Sequence, residues 1–284
     1  ETTVTEPETT VTEPETTVTE PETTVTEPEE ETSEPEIVYS KGLKFGMYSC
    51  AGTLTCARYP GSYDHEFTDA RCFAEWGVDY LKYDYCYKPG SVDGDVLYKR
   101  MGLALANCGR DILYSACSWG ADETKKWIKS TGANMWRSTG DIQDSWESIK
   151  NLSMEAPQSI KYSAMNCFFD MDMLVVGMYG KGHVGLAACN DEEYKLHFSL
   201  WALLGTPLMI GCDIRNMNDA TRAILKNKDV IAINQDQYFP PNLDAIPMSK
   251  MIKDNKLLIF DSCMGHVGSN ELFKVKEDLE EFIK

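Results

Sequence analysis

Four stretches with helical apolar spacing each end on a glycine shortly before the next apolar run, at Gly77, Gly109, Gly132 and Gly205. Glycine accepts the left-handed conformation that closes a helix, so each marks a helix C-terminus followed by a new element. The runs that follow are short and rich in β-formers, as strands are. Read this way, strands fall at 44–49, 78–84, 111–116, 134–137, 165–169 and 207–211, with helices at 68–76, 95–108, 122–131, 144–152, 191–204 and 219–226. Asp144 and Glu147 have the spacing of a capping box for the fourth helix. About six strand–helix units in a row predict an α/β fold with a parallel sheet and helices outside it.

An open doubly wound sheet and a closed barrel both fit that count. No glycine-rich phosphate loop follows any strand, so nucleotide binding has no support. Polar residues instead gather at the C-terminal ends of several strands, where a (β/α)8 TIM barrel carries its chemistry. The expected architecture is therefore a (β/α)8 barrel, incomplete by two units. It occupies residues 37–238, after a linker at 1–36 and before a short segment at 239–284. In that last segment 256–262 reads as a strand and 271–283 as an acidic amphipathic helix.

Residues 1–28 are four copies of Glu-Thr-Thr-Val-Thr-Glu-Pro. A proline in every repeat forbids a continuous helix, and uniform negative charge keeps the segment extended and solvated. It has no aromatic residue on which a ligand could stack, so a spacer rather than a substrate-binding arm is the expectation. Such linkers fit a secreted, extracellular setting. The chain starts inside a repeat without Met, so its start is expected upstream. Of the 45 acidic residues behind the net charge of −18, 13 lie in residues 1–36, which hold no Lys or Arg. The remainder carries 32 acids against 27 bases, which argues against a nucleic-acid partner. No apolar run is long enough to span a membrane. Ten Cys and four His show no zinc spacing, so no metal is expected, and most Cys read as small buried hydrophobes.

Candidate chemistry lies at three strand ends. Alternation along Val78–Asp84 puts Lys82 and Asp84 on one face, where a cation favours the ionised carboxylate. That makes Asp84 a candidate nucleophile, against the plain alternative of a structural ion pair. In Trp136-Arg-Ser-Thr-Gly-Asp-Ile-Gln-Asp144, Asp141 is free for another task if Asp144 caps the next helix. Two carboxylates from separate strand ends suit glycoside hydrolysis. Asp172, after the fifth strand, is a candidate acceptor for sugar hydroxyls. Asp213 and Arg215 read as a surface ion pair. His197 reads as part of a helix face, with His65, His183 and His266 in loops.

These residues also carry a resemblance. Tyr48…Cys56-Ala-Arg-Tyr-Pro-Gly-Ser and Phe73-Ala-Glu-Trp-Gly-Val-Asp-Tyr-Leu-Lys-Tyr-Asp-Tyr-Cys86 resemble the α-galactosidase and α-N-acetylgalactosaminidase family of retaining glycoside hydrolases (family 27, melibiase-like), bacterial type. So do Tyr114-Ser-Ala-Cys-Ser-Trp-Gly120, Trp136–Trp146, Asp170-Met-Asp-Met-Leu-Val-Val-Gly177 and Asp229-Val-Ile-Ala-Ile-Asn-Gln-Asp236. The resemblance covers about residues 40–238 and implies a barrel followed by a small β domain. It implies Asp84 as nucleophile and Asp141 as acid/base, releasing terminal α-galactose by double displacement. It implies sugar contacts from Tyr48, Lys82, Arg137 and Asp172, a pocket wall from Ser118 and Trp119, and a Cys56–Cys86 disulfide. It calls for no cofactor, and its partner is an α-galactoside carbohydrate.

Two departures stand out. The family's first two units, with their Asp-Asp-Gly-Trp and Trp-Asn-Ser/Thr-Trp segments, have no counterpart in residues 1–284, and 239–284 is too short for the usual β domain. A six-stranded remnant has open edges and an exposed core, which further sequence or another chain would complete. A catalytically inactive carbohydrate-binding fragment is therefore the competing reading. Ser118 and Ala121 are small, which hints at room for a 2-acetamido group and hence α-N-acetylgalactosaminides. The Cys117-Ser-Trp-Gly120 loop also occurs in galactosidases, so galactose is the reading taken. No feature specifies an oligomeric state.

Overall fold

The computed structural model describes residues 39–235 apart from Met165, His183, Gly185 and Leu186. The linker repeats and the elements expected within 239–284 lie outside the described residues. Five strands, β1 Gly46–Cys50, β2 Tyr80–Asp84, β3 Leu113–Cys117, β4 Met135–Arg137 and β5 Phe168–Asp170, form one parallel sheet in sequence order. Helices α1 Glu66–Glu75, α2 Gly94–Ala106, α3 Thr124–Trp127 and α4 Trp146–Ser159 make the crossovers. Then follow α5 Asp191–Leu203, α6 Asp219–Leu225 and α7 Lys228–Gln235. The glycines at 77, 109, 132 and 205 all have positive φ, between 67° and 84°.

Alternation divides the sheet into two faces. Leu81, Tyr83, Tyr114, Ala116, Trp136 and Phe169 point outward and are buried beneath the helices. There the rings of Tyr83, Tyr98 and Tyr114 pack at 5.7–6.4 Å, with the Tyr98 hydroxyl donating to Tyr83 O (3.2 Å) and the Tyr114 hydroxyl to Tyr98 O (3.1 Å). The other face would line the barrel. Register aligns Tyr48, Lys82, Ser115, Met135 and Phe168 at one level, with Cys50, Asp84 and Cys117 one step nearer the strand ends. Leu113 and Phe168 on this inner face are 44% and 42% exposed, because the five strands among the described residues do not close into a ring.

Several expectations need correction. Only a bridge between Leu174 and Ile210 forms where a sixth strand was expected at 207–211. Among the described residues, the segment has the loop after β5 as its one ladder neighbour. The helix expected at 122–131 is broken into 3-10 turns around the four-residue α3, because Asp122 and Glu123 sit at φ 52° and 53°. Ser145, not Asp144, caps α4, its hydroxyl accepting from Ser148 N (3.3 Å). Asp144 is instead buried, taking the Tyr194 hydroxyl (2.8 Å) and the amides of Gly180 (2.7 Å) and Cys189 (3.3 Å). The true capping box is Asn190 with Glu193 on α5. Helix α7 was not expected; Asn227 starts it, accepting from the amides of Asp229 and Val230. Asp213 and Arg215 do pair at the surface, at 2.8 Å.

Candidate active site at the strand ends

Asp84 closes β2 and is largely buried. Its Oδ1 accepts from its neighbour's amide, Tyr85 N (2.8 Å), and its Oδ2 from the Tyr48 hydroxyl (2.8 Å). Burial, then the hydrogen bond to Asp84, push the Tyr48 phenol upward, so it stays a donor. Cys50 and Cys117 flank Asp84 in register. Burial pushes these thiols up to about 11 and about 12, so both are neutral near pH 7.

The loops after β1 and β2 continue the ladder beyond the strands, with Ala51 N donating to Asp84 O (2.8 Å) and Thr53 N to Tyr87 O (3.2 Å). A Cys56–Cys86 disulfide joins them, with Cα atoms 5.3 Å apart. Gly52 permits this closeness, since a Cβ there would lie 2.0 Å from Cys86 O. Cys56 Sγ lies 3.6 Å from Asp84 Oδ2. Cys56, Asp84 and Cys86 form a cluster of metal-ligand type. The two sulfurs are bonded to each other and offer no thiolate, so the trio does not suit a metal ion.

Arg137 closes β4 and is only 2% exposed. Its guanidinium donates to Asp172 Oδ1 (2.9 Å), Asp141 Oδ1 (2.9 Å), Gly140 O (2.9 Å) and Thr139 O (3.3 Å). Burial opposes its charge, but the carboxylates of Asp172, Asp170 and Asp141 outweigh that and the net shift is upward. Asp141 lies in the loop after β4 with its side chain 78% exposed. Asp172 is tied inward: Oδ1 also accepts from Met173 N (2.8 Å), and Oδ2 accepts from Ile142 N (2.8 Å). Its carboxylate thus links Arg137 to the Asp141 loop.

Other expected site residues fall differently. Lys82 and Asp84 share the inner face, yet no ion pair joins them among the described residues. Ser118 is fully enclosed, its hydroxyl 2.6 Å from that of Thr124, so it does not reach an accessible wall. Trp119 does reach the mouth, at φ 57°, edge-on to Tyr85 at 6.2 Å. The Tyr85 hydroxyl donates to Asp122 (2.5 Å), which also pairs with Lys88 (3.0 Å). His197 is buried in α5, as a helix-face residue.

Sequence reasoning did not single out Asp170. It ends β5 beside Arg137, is buried, and its Oδ1 accepts from Asp172 N (2.8 Å). Burial pushes its carboxyl up to about 6, against the pull of Arg137. Its alternation with Phe168 was a usable signal, since residues two apart on a strand share a face.

A family model described as alpha galactosidase A (Melibiase_2) matches residues 22–236. α-Galactosidase 2 of Arabidopsis thaliana is 47% identical over 201 residues, 70% of this chain and 48% of that protein. The crystal structure of α-galactosidase I from Mortierella vinacea superposes with a TM-score of 0.65 at 37% identity, covering 71% of this chain and 55% of that one. An α-galactosidase from Saccharomyces cerevisiae, solved with raffinose, gives a TM-score of 0.60 at 34% identity over 71% and 48% of the two chains. The chain spans about half the length of the curated relatives it matches. The matching relatives come from plants, fungi and bacteria, among the last an α-galactosidase A of Cellvibrio japonicus at 42% identity over 70% of this chain and 50% of that protein. With the match running through all five strands and every residue of the mouth, the chain belongs to the Melibiase_2 family of α-galactosidases.

Proposed function

We propose that this chain carries the catalytic mouth of a retaining α-galactosidase, with Asp84 as nucleophile and Asp141 as acid/base. One observation carries the reading. Two carboxylates stand at the C-terminal ends of one parallel sheet, one anchored and largely buried, the other exposed on an arginine. Strands β2 and β4 are two spacings apart, about 10 Å, so side chains leaning inward can converge on one sugar. Retention asks for carboxyls about 5–5.5 Å apart.

In the first step Asp84 attacks the anomeric carbon as the aglycone leaves with a proton from Asp141. The Arg137 bond occupies Asp141 Oδ1, which leaves Oδ2 to hold that proton. In the second step the same carboxylate takes a proton from water as the water displaces Asp84 from the galactosyl ester. Tyr48 and the Tyr85 amide keep Asp84 aimed in both steps. Arg137 and Asp172, bonded mainly to protein atoms, serve the Asp141 loop more than the sugar hydroxyls. Trp119 offers a wall to the substrate. Galactose is favoured over its N-acetyl counterpart, because the enclosure of Ser118 removes one of the two small wall residues that hinted at an acetamido group. A secreted setting fits the acidic Thr/Glu/Pro repeats and the disulfide.

The competing reading, an inactive carbohydrate-binding fragment, draws on the exposed inner face. Turnover of 4-nitrophenyl α-galactoside and of the N-acetyl analogue separates the two. Release that vanishes in Asp84→Ala and Asp141→Ala supports the hydrolase. No release, together with no labelling of Asp84 by an activated fluoro-galactoside, overturns it.

A further inference from the structure

Beside its backbone bridge at Leu174, the loop after β5 is held by side chains. Met171 N donates to Thr206 Oγ1 (3.0 Å), Asp172 N to Asp170 Oδ1 (2.8 Å) and Val175 N to His197 Nε2 (3.1 Å). From behind, the indole N–H of Trp201 donates to Asp172 O (2.8 Å). His197 and Trp201 are one turn apart on α5, both fully buried, with rings edge to face at 4.1 Å. Burial lowers His197 to about 3, so its imidazole is neutral and Nε2 accepts throughout the physiological range. All this surrounds a residue in an unfavourable conformation: Asp172 has φ 86°, which a side chain rarely adopts without enforcement.

We propose that Trp201 is a positioning residue for the acid/base, its indole N–H holding Asp172 in the left-handed conformation that aims its carboxylate at both Arg137 and the Ile142 amide. The proposal rests on the reading of Asp141 as acid/base. Asp141 sits immediately before Ile142 and shares Arg137 with Asp172. If the Asp172 carbonyl loses its donor, the strained backbone keeps only the bonds at its amide and carboxylate, and the carboxylate's aim at Arg137 and Ile142 loosens. Trp201 touches no reacting atom and acts only through Asp172.

Trp201→Phe in the full chain keeps a ring against His197 and removes the N–H. Two substrates separate positioning from general damage: phenyl α-galactoside needs a proton on its leaving group, and dinitrophenyl α-galactoside does not. Loss of a well-placed acid should lower kcat/KM about ten-fold or more for the phenyl substrate and less than about two-fold for the dinitrophenyl one. Phe198→Leu, which thins the same helix packing, should lower both equally. An equal loss on both substrates in Trp201→Phe, or none, overturns the proposal. Amide hydrogen exchange provides a readout independent of turnover. Protection at Ile142 should fall about ten-fold while Leu81 in β2 is unchanged, since local opening is uncoupled from the core ladder. Should the unmodified chain release neither phenol, the hydrolase reading fails alone. The exchange result then decides for Trp201, with unchanged Ile142 protection overturning it.

Discussion

At each end of the sheet an arginine meets aspartates, and the two clusters are built on opposite terms. At the N-terminal end Asp79 accepts from Phe45 N (3.0 Å), the Tyr39 hydroxyl (2.7 Å) and Arg110 (2.8 Å), with Lys44 at 3.4 Å. Arg110 also donates to Val78 O (2.9 Å) and remains a third exposed. Burial works against the Asp79 charge, yet these donors hold its carboxyl down at about 2. At the C-terminal end Arg137 is enclosed with Asp172 and Asp170, its Nε meets no partner among the described residues, and burial holds Asp170 up at about 6. The first cluster is a staple between the starts of β1, β2 and β3. The second keeps charge where folding alone would not put it, as sites built for chemistry do. Barrels place stability at the bottom and catalysis at the top in this manner.

The strongest way to break the comparison is to remove an arginine. Arg137→Met should cost about 3–5 kcal/mol in urea unfolding, because Asp172 and Asp170 would be left buried without their cation. Arg110→Met should cost about 1 kcal/mol, since water reaches that pair. Equal losses would mean that the ends do not differ.

The two aspartates should also give opposite pH signs. The Asp170 carboxyl is raised from 3.8 to about 6 in the folded chain, so the native state binds the proton more tightly than the unfolded one. Its stabilisation is present below pH 4 and is lost as pH rises through 6, a change of about 3 kcal/mol at most. Asp170→Asn should flatten that limb of the stability curve. Asp79 is lowered to about 2, so its stabilisation is present above pH 4 and is lost as pH falls toward 2. Asp79→Asn should remove about 2 kcal/mol at pH 7 and nothing at pH 2. Unfolding curves from pH 2 to pH 7 check both, and the same sign for both variants would remove the contrast.

What was legible in the sequence follows the same division. Local chemistry was readable: the closing glycines, the alternation that buries Leu81 and Tyr83, and the placing of Asp84 at a strand end. Long-range partners were not. Asp79 alternates out of the inner face, and nothing local announces that Tyr39 and Arg110 will close on it. Asp144 had the spacing of a cap, but a tertiary hydrogen bond from Tyr194, 50 residues away, overrode it. The span 207–211 has strand-like residues, yet a strand exists only through its neighbours, and among the described residues Leu174 alone bridges to it. The family motifs pointed to the strand ends at Asp84 and Arg137. They did not show that Ser118 turns away from the mouth, nor that Asp170 and Trp201 grip Asp172 from two sides.

The finest test uses two tyrosines that do the same thing at opposite ends. Tyr39 donates to Asp79 Oδ2 at 2.7 Å and Tyr48 to Asp84 Oδ2 at 2.8 Å. Both variants keep the ring and delete one hydrogen bond to a carboxylate, and Tyr39→Phe also deletes the bond that its hydroxyl accepts from Arg110 (2.8 Å) and its contact with Gly77 O. Each should therefore cost about 1 kcal/mol or somewhat more in stability. Tyr48, 41% exposed, should fall at the lower end, because water can replace its hydroxyl. Turnover separates them. On the proposed reading Asp84 presents one oxygen to the anomeric carbon in a fixed direction, and Tyr48 is one of its hydrogen-bond anchors. Tyr48→Phe should lower kcat/KM on 4-nitrophenyl α-galactoside about ten-fold, the scale of a single misaligned contact at a reacting group. Tyr39→Phe should leave it within about two-fold, since the far end of the sheet serves stability. If Tyr39→Phe slows turnover as much as Tyr48→Phe, the N-terminal cluster is coupled to the chemistry and the division between the two ends fails.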